Sequence, residues 1–300
     1  MKTKLISVFF IIFFQAFCLW AAGIISTDDA LKELNSNKNV KFIDTRDGKA
    51  FQQGHIADAV LITNNDLTET RNGIPGMAKS PQEIVNVFKN NGIDRTNKII
   101  VYSAGATSND YMQATRIIAL LNYVNIKDTY LMDGGFTKWT FENKGYEAGV
   151  EMASPSNLTY NGSDDKVLVD INYVSQNLNN KNVLFVDARN TDYYYGKDTD
   201  TRLTRHGHIP GAINIDVATL TKKVNNYYVL INQNELLNIV YEKGFSNPAE
   251  LLNKTVISYC NTGVSASGNW FIFKYIGTHP DVRIYEGSMS EYSRSNLPLE

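Results

Sequence analysis

Apolar residues in this chain fall mostly into short runs of strand length. Val40-Lys41-Phe42-Ile43 and Val183-Leu184-Phe185-Val186 are rich in β-branched and aromatic side chains, and each ends in Asp-x-Arg. Lys98 to Tyr102 and Thr255 to Tyr259 read as two further strands. The first of these precedes a helical pattern carrying Met112, Thr115, Ile118 and Leu121. The second precedes Ala266 to Ile276, whose apolar face includes Trp270, Phe271 and Phe273. Strand, loop, helix and strand in alternation predict a mainly parallel sheet covered by helices. Sheets of that kind hold ligands at the carboxyl ends of their strands.

The pattern occurs twice. Asp44-Thr45-Arg46 is matched by Asp187-Ala188-Arg189, and Gly54-His55-Ile56 by Gly207-His208-Ile209-Pro210-Gly211-Ala212. Tyr130-Leu131-Met132-Asp133-Gly134-Gly135 is matched by Arg283-Ile284-Tyr285-Glu286-Gly287-Ser288. Three landmarks in one order, repeated, predict two copies of one α/β domain. We place the first copy at residues 24–152 and the second at 167–300. Residues 153–166, with Pro155, Gly162 and several Ser, Asn and Asp, have the composition of a linker. The second copy carries an insertion through Tyr193-Tyr194-Tyr195-Gly196-Lys197-Asp198, which either covers a site or pads the interface between the copies.

One longer apolar run stands apart. Lys2 and Lys4 precede Leu5 to Ala22, with small residues Ala21, Ala22 and Gly23 at its end, the order of a secretory signal peptide. Residues 1–23 are therefore expected to be a cleaved leader, and the protein to be exported, in a periplasm. An uncleaved membrane anchor is the alternative, weakened by Ser7 and Gln15. Phe17 and Ala16 lack the small-residue context that lipid attachment at Cys18 would need. Cleavage would leave Cys260 as the one thiol of an exported protein, unable to form an internal disulfide. Charge adds little: 29 Lys and Arg against 31 Asp and Glu give no basic field for nucleic acid or an acidic membrane surface.

Cys260 directly follows an apolar strand, and Asn261-Thr262-Gly263-Val264-Ser265 leads into the helix. Backbone N–H groups of such a loop converge, and the helix N-terminus adds partial positive charge. Both favour the thiolate, which is the nucleophile. The competing reading is a small buried core cysteine, although a core cysteine more often sits within the strand. Asp187 and Arg189 read first as a structural ion pair and second as a brace for the loop. His55 and His208 read as structural, since both copies carry them. The four histidines and one mature cysteine show no metal-ligand spacing.

These motifs, with Val256-Ile257-Ser258-Tyr259-Cys260-Asn261-Thr262-Gly263-Val264, resemble the tandem-domain rhodanese family of thiosulfate and mercaptopyruvate sulfurtransferases, over nearly all of the mature chain. The resemblance implies two similar α/β domains with a site in the cleft between them, and a Cys260 persulfide as the reaction intermediate. It implies substrate contacts from Asn261, Thr262, Gly263, Val264, Ser265 and Tyr193, with Asp187 and Arg189 as support. No metal or organic cofactor is implied. The partners would be a small sulfur donor and a thiol or cyanide acceptor. Ser103 aligns with Cys260, so the first copy would be non-catalytic.

Thiosulfate-using relatives carry cations in the loop after the cysteine, where this chain has neutral Asn261 and Thr262, and an arginine where it has Tyr193. Mercaptopyruvate-using relatives have small neutral loop residues, which Thr262 resembles although Asn261 replaces a glycine. Polysulfide is a third donor. A non-enzymatic sulfur carrier serving a membrane respiratory enzyme is the alternative function. A phosphatase or arsenate reductase would need an arginine where Ala266 stands, and none occurs between Cys260 and Arg283.

Overall fold

The computed structural model describes residues 23–149, 153–198, 200–245 and 247–300. The run read as a leader lies outside them. Two five-stranded parallel sheets form the body of the molecule. In the first, β1 (Ile24–Ile25), β2 (Val40–Asp44), β3 (Ala59–Leu61), β6 (Lys98–Tyr102) and β7 (Thr129–Met132) lie in the order β1-β7-β6-β2-β3. In the second, β8 (Leu168–Val169), β9 (Val183–Asp187), β10 (Ile213–Asn214), β13 (Thr255–Tyr259) and β14 (Val282–Tyr285) repeat that order as β8-β14-β13-β9-β10. The α/β architecture expected from the alternating pattern is therefore present twice, and the strand that ends at Cys260 is central in its sheet.

The repeated motifs fold alike. Arg46 grips Asp44 through Nε at 3.0 Å, and Arg189 grips Asp187 through Nε at 2.9 Å. Each arginine also donates to the carbonyl before its Gly-His-Ile histidine, Gly54 or Gly207. His55 Nδ1 lies 2.9 Å from the Phe51 carbonyl and stacks on that ring. His208 Nδ1 lies 2.9 Å from the Tyr194 carbonyl and stacks on Tyr194. Tyr102 and Tyr259 each accept from a backbone N–H at 3.1 Å. Geometry common to both copies belongs to the fold.

The two domains share one core. The helix Tyr111–Tyr123 is buried on nearly every face, and Ile117, Ile118, Leu120 and Leu121 join Trp270, Phe271 and Ile272 of the second domain in a single apolar cluster. It packs against the helix Val264–Phe271, where Thr115 Oγ1 and Ser267 Oγ lie 3.2 Å apart. Gly268 permits that approach, because a Cβ there would meet the Tyr111 hydroxyl at 3.1 Å and Val217 Cγ2 closer still.

Each domain also lends a hairpin to the other. In the first domain, β4 (Thr68–Arg71) and β5 (Ile74–Ala78) form a two-stranded ribbon, and the Ala78 N–H donates to the Glu286 carboxylate. In the second, β11 (Thr221–Val224) and β12 (Tyr227–Leu230) reach back. The Tyr228 N–H donates to the Gly105 carbonyl at 2.9 Å and the Leu230 N–H to Asp133 Oδ1 at 2.9 Å. Residues 153–166 run without helix or strand against the first domain. Ser156 donates to the Ile93 carbonyl at 2.5 Å, Arg95 to the Thr159 carbonyl at 3.0 Å, and Leu158 is buried.

Candidate active site

Cys260 leaves the carboxyl end of β13 with its side chain 3% exposed. The Gly263 N–H points at Sγ, with N and S 3.1 Å apart. That approach needs Gly263 at φ +87°, a left-handed conformation in which glycine carries no steric penalty. The helix then starts at Val264, so its N-terminal dipole end faces the same loop. The third landmark holds the loop from behind. The Cys260 N–H donates to Ser288 Oγ at 3.2 Å, and the Met289 and Ser290 amides donate to the Cys260 and Asn261 carbonyls at 2.9 and 3.1 Å.

The sulfur lines a cavity of about 430 Å³ between the domains. Cys260, Asn261, Thr262 and Ser265 form its floor, Arg189, Tyr193 and Arg202 one wall, and Asn109 and Met112 of the first domain contribute to another. Gly263 and Val264 lie off the cavity lining; Gly263 acts through its amide and Val264 opens the helix.

Arg189 does what neither sequence reading gave it alone. It is ion-paired to Asp187, and its Nη1 also donates to Asn261 Oδ1 at 3.3 Å. Burial disfavours its charge, but the Asp187 carboxylate outweighs that and raises its pKa above the ordinary arginine value. The Asn261 side chain is spent on protein partners, since its Nδ2 donates to Asp200 Oδ2 at 3.0 Å. Tyr193 faces the cavity with its hydroxyl 3.5 Å from Asp200.

The tyrosine-bearing insertion brings in a pair that the motifs did not point to. Arg202 lines the cavity, nearly half exposed, and is clamped to Asp200 through Nε at 2.9 and 3.0 Å. The Arg202 hydrogen bonds hold the Asp200 carboxyl down at about 2. The cation missing from the loop thus stands on the facing wall. Around Ser103 the matching space is only about 10 Å³, closed by Thr221, Tyr228 and Leu230 of the returning hairpin. Asp133 there is pushed up by burial.

A rhodanese-like domain model matches residues 27–142 and 170–295, and the chain belongs to the rhodanese family. Among curated relatives, it is 32% identical over 279 residues to a Synechococcus elongatus protein named as a thiosulfate sulfurtransferase, covering 90% of this chain and 82% of that one. It is 24% identical over 286 residues to the 3-mercaptopyruvate sulfurtransferase of Escherichia coli, covering 91% and 96%. In fold it matches the crystal structure of SseA, a 3-mercaptopyruvate sulfotransferase from Escherichia coli, with a TM-score of 0.76 at 21% identity over 88% of this chain and 98% of that one. An anaerobic ergothioneine biosynthesis enzyme from Chlorobium limicola shares the fold at a TM-score of 0.76 and 18% identity, over 94% and 71%.

Proposed function

We propose that this rhodanese-type sulfurtransferase carries sulfur as a Cys260 persulfide, loaded from a small anionic donor and discharged to a thiol or cyanide. The observation that carries the reading is the Gly263 N–H aimed at Sγ, on the floor of a cavity whose wall holds Arg202. The Cys260 thiolate attacks the outer sulfur of the donor. The bond from that sulfur to the rest of the donor breaks, and its electron pair leaves with the remnant, as sulfite does from thiosulfate. Cys260–S–S⁻ remains, and the Gly263 amide and helix N-terminus stabilise the anion. An acceptor nucleophile then takes the outer sulfur and regenerates the thiolate.

Arg202 supplies the charge that Asn261 and Thr262 do not, and it suits thiosulfate, mercaptopyruvate and polysulfide, which are all anions. The first domain, with Ser103 in place of the thiol, serves as a wall of the cleft. The N-terminal run suggests export; a mature N-terminus near Gly23, read by sequencing protein from its native host, would support this, and retained Leu5–Ala22 would oppose it.

The central test loads wild-type protein and Cys260→Ser with each of the three donors, then reads intact mass and transfer to cyanide. A wild-type chain one sulfur atom heavier, and an unchanged variant, are expected. No adduct with any donor sinks the proposal. An adduct without turnover points instead to a sulfur carrier.

A further inference from the structure

Arg116 lies in the first domain, midway along the helix Tyr111–Tyr123, and is fully buried. Its guanidinium lies against the Cys260 loop of the second domain. A Cβ on Gly263 would sit 3.3 to 3.5 Å from Nη1, Cζ and Nη2 together, so the group faces the Cα of the residue whose amide meets the sulfur. Nη2 donates to Glu286 Oε1 at 3.1 Å and to the Gly76 carbonyl at 3.3 Å. Nε and Nη1 are buried and meet no acceptor among the described residues. As a structural device this is poor, since an apolar side chain of similar volume would fill the space without the cost of desolvating a charge.

The repeat sharpens the point. Arg116 stands seventeen residues before Asp133, and the residue seventeen before Glu286 is the neutral Asn269. Asp133, which occupies the place of Glu286 beside the serine loop, makes no ion pair among the described residues. A guanidinium therefore backs the loop that holds the thiol and is absent from the equivalent position.

We infer that Arg116 is a positioning residue of the sulfur-transfer site, setting the charge felt by Cys260 from behind the loop while Glu286 opposes it. The inference rests on the reading of Cys260 as the sulfur carrier. The other charges facing the sulfur are Arg189 with Asp187 and Arg202 with Asp200, each internally paired, and Asp216 in the cavity wall. The Arg116–Glu286 pair spans the domain seam, with Arg116 contributed from the far side.

The test is the pH dependence of iodoacetamide alkylation at Cys260 in the full chain, with Cys18 resolved by peptide mass mapping. Loss of a buried cation disfavours the thiolate, and loss of a buried carboxylate favours it. Arg116→Gln is expected to raise the alkylation midpoint by about one pH unit, slowing the reaction about tenfold below it. Glu286→Gln, which keeps an acceptor for Ala78, is expected to lower the midpoint, and Arg116→Lys to restore most of the wild-type value. A merely structural pair would move both variants together or neither, and that result overturns the inference. If Arg116→Gln does not fold, a midpoint in Glu286→Gln that fails to fall does the same. Alkylation needs only the thiol, so opposite shifts in a chain that loads no sulfur uphold Arg116 and reject the sulfur-transfer reading.

Discussion

Arg189 and Arg202 flank the same sulfur, and their surroundings divide their work. Arg189 is 5% exposed and ties Asp187, the Gly207 carbonyl and Asn261 together. Its removal strands a buried carboxylate, so Arg189→Ala should cost about 3–5 kcal/mol, measurable by urea unfolding. Arg202 is half in solvent, so its pairing with Asp200 and its contact with Tyr193 are screened, and Arg202→Ala should change stability by less than about 1 kcal/mol. The same change should raise KM for anionic donors about tenfold while leaving kcat nearly intact, as loss of a charge-assisted contact does. Asp200 gives this arm a pH signature. Its folded-state value, about 2, lies below the ordinary carboxyl value of 3.8. Its contribution to stability is therefore complete above about pH 4 and is lost as pH falls towards 2. Asp200→Asn should flatten that limb of the stability–pH curve, followed by thermal unfolding at successive pH values.

At the scale of elements, the exchanged hairpin β4–β5 is the most exacting. Its second strand approaches the cysteine loop so closely that a Cβ on Gly76 would lie 2.8 Å from the Thr262 carbonyl oxygen, at φ +78°. Gly76→Ala should destabilise the protein by about 1–3 kcal/mol and slow sulfur loading, although the residue belongs to the first domain and touches no substrate. Differential unfolding with a loading assay reads both effects. Such contacts explain what the amino-acid order disclosed. Cys260, Gly263, Asp187 and Arg189 were legible because their partners lie within two or three residues, or because a motif repeats. The hairpin itself has a local signature, Asn72-Gly73 with both residues at positive φ. Where its second strand lands depends on the domain packing, which no local pattern encodes. Arg202 was hidden for the same reason, inside an insertion with no counterpart in the first copy. Arg116 left one trace, a lone charge followed by Ile117-Ile118-Ala119-Leu120-Leu121.

For the whole molecule, the shared core makes the halves interdependent. The strap at 153–166 contributes length and a few hydrogen bonds, while the apolar cluster and both hairpins cross the seam. A protease site inserted at Gly162, in an exposed stretch, should be cut without releasing either half. Gel filtration after cleavage should give one species of the intact size; two separate fragments would contradict the shared core.

The hairpin exchange follows a local two-fold symmetry, and one chain has therefore the plan of a dimer. A true dimer of identical subunits would be bound to treat both loops alike. Joining the copies in one polypeptide lifts that obligation. One loop has become a socket, filled by Tyr228 and Leu230 at Ser103, and its twin a mouth at Cys260. The socket fastens the partner that keeps the mouth in shape, so the cavity at Cys260 draws on the sequence of both copies.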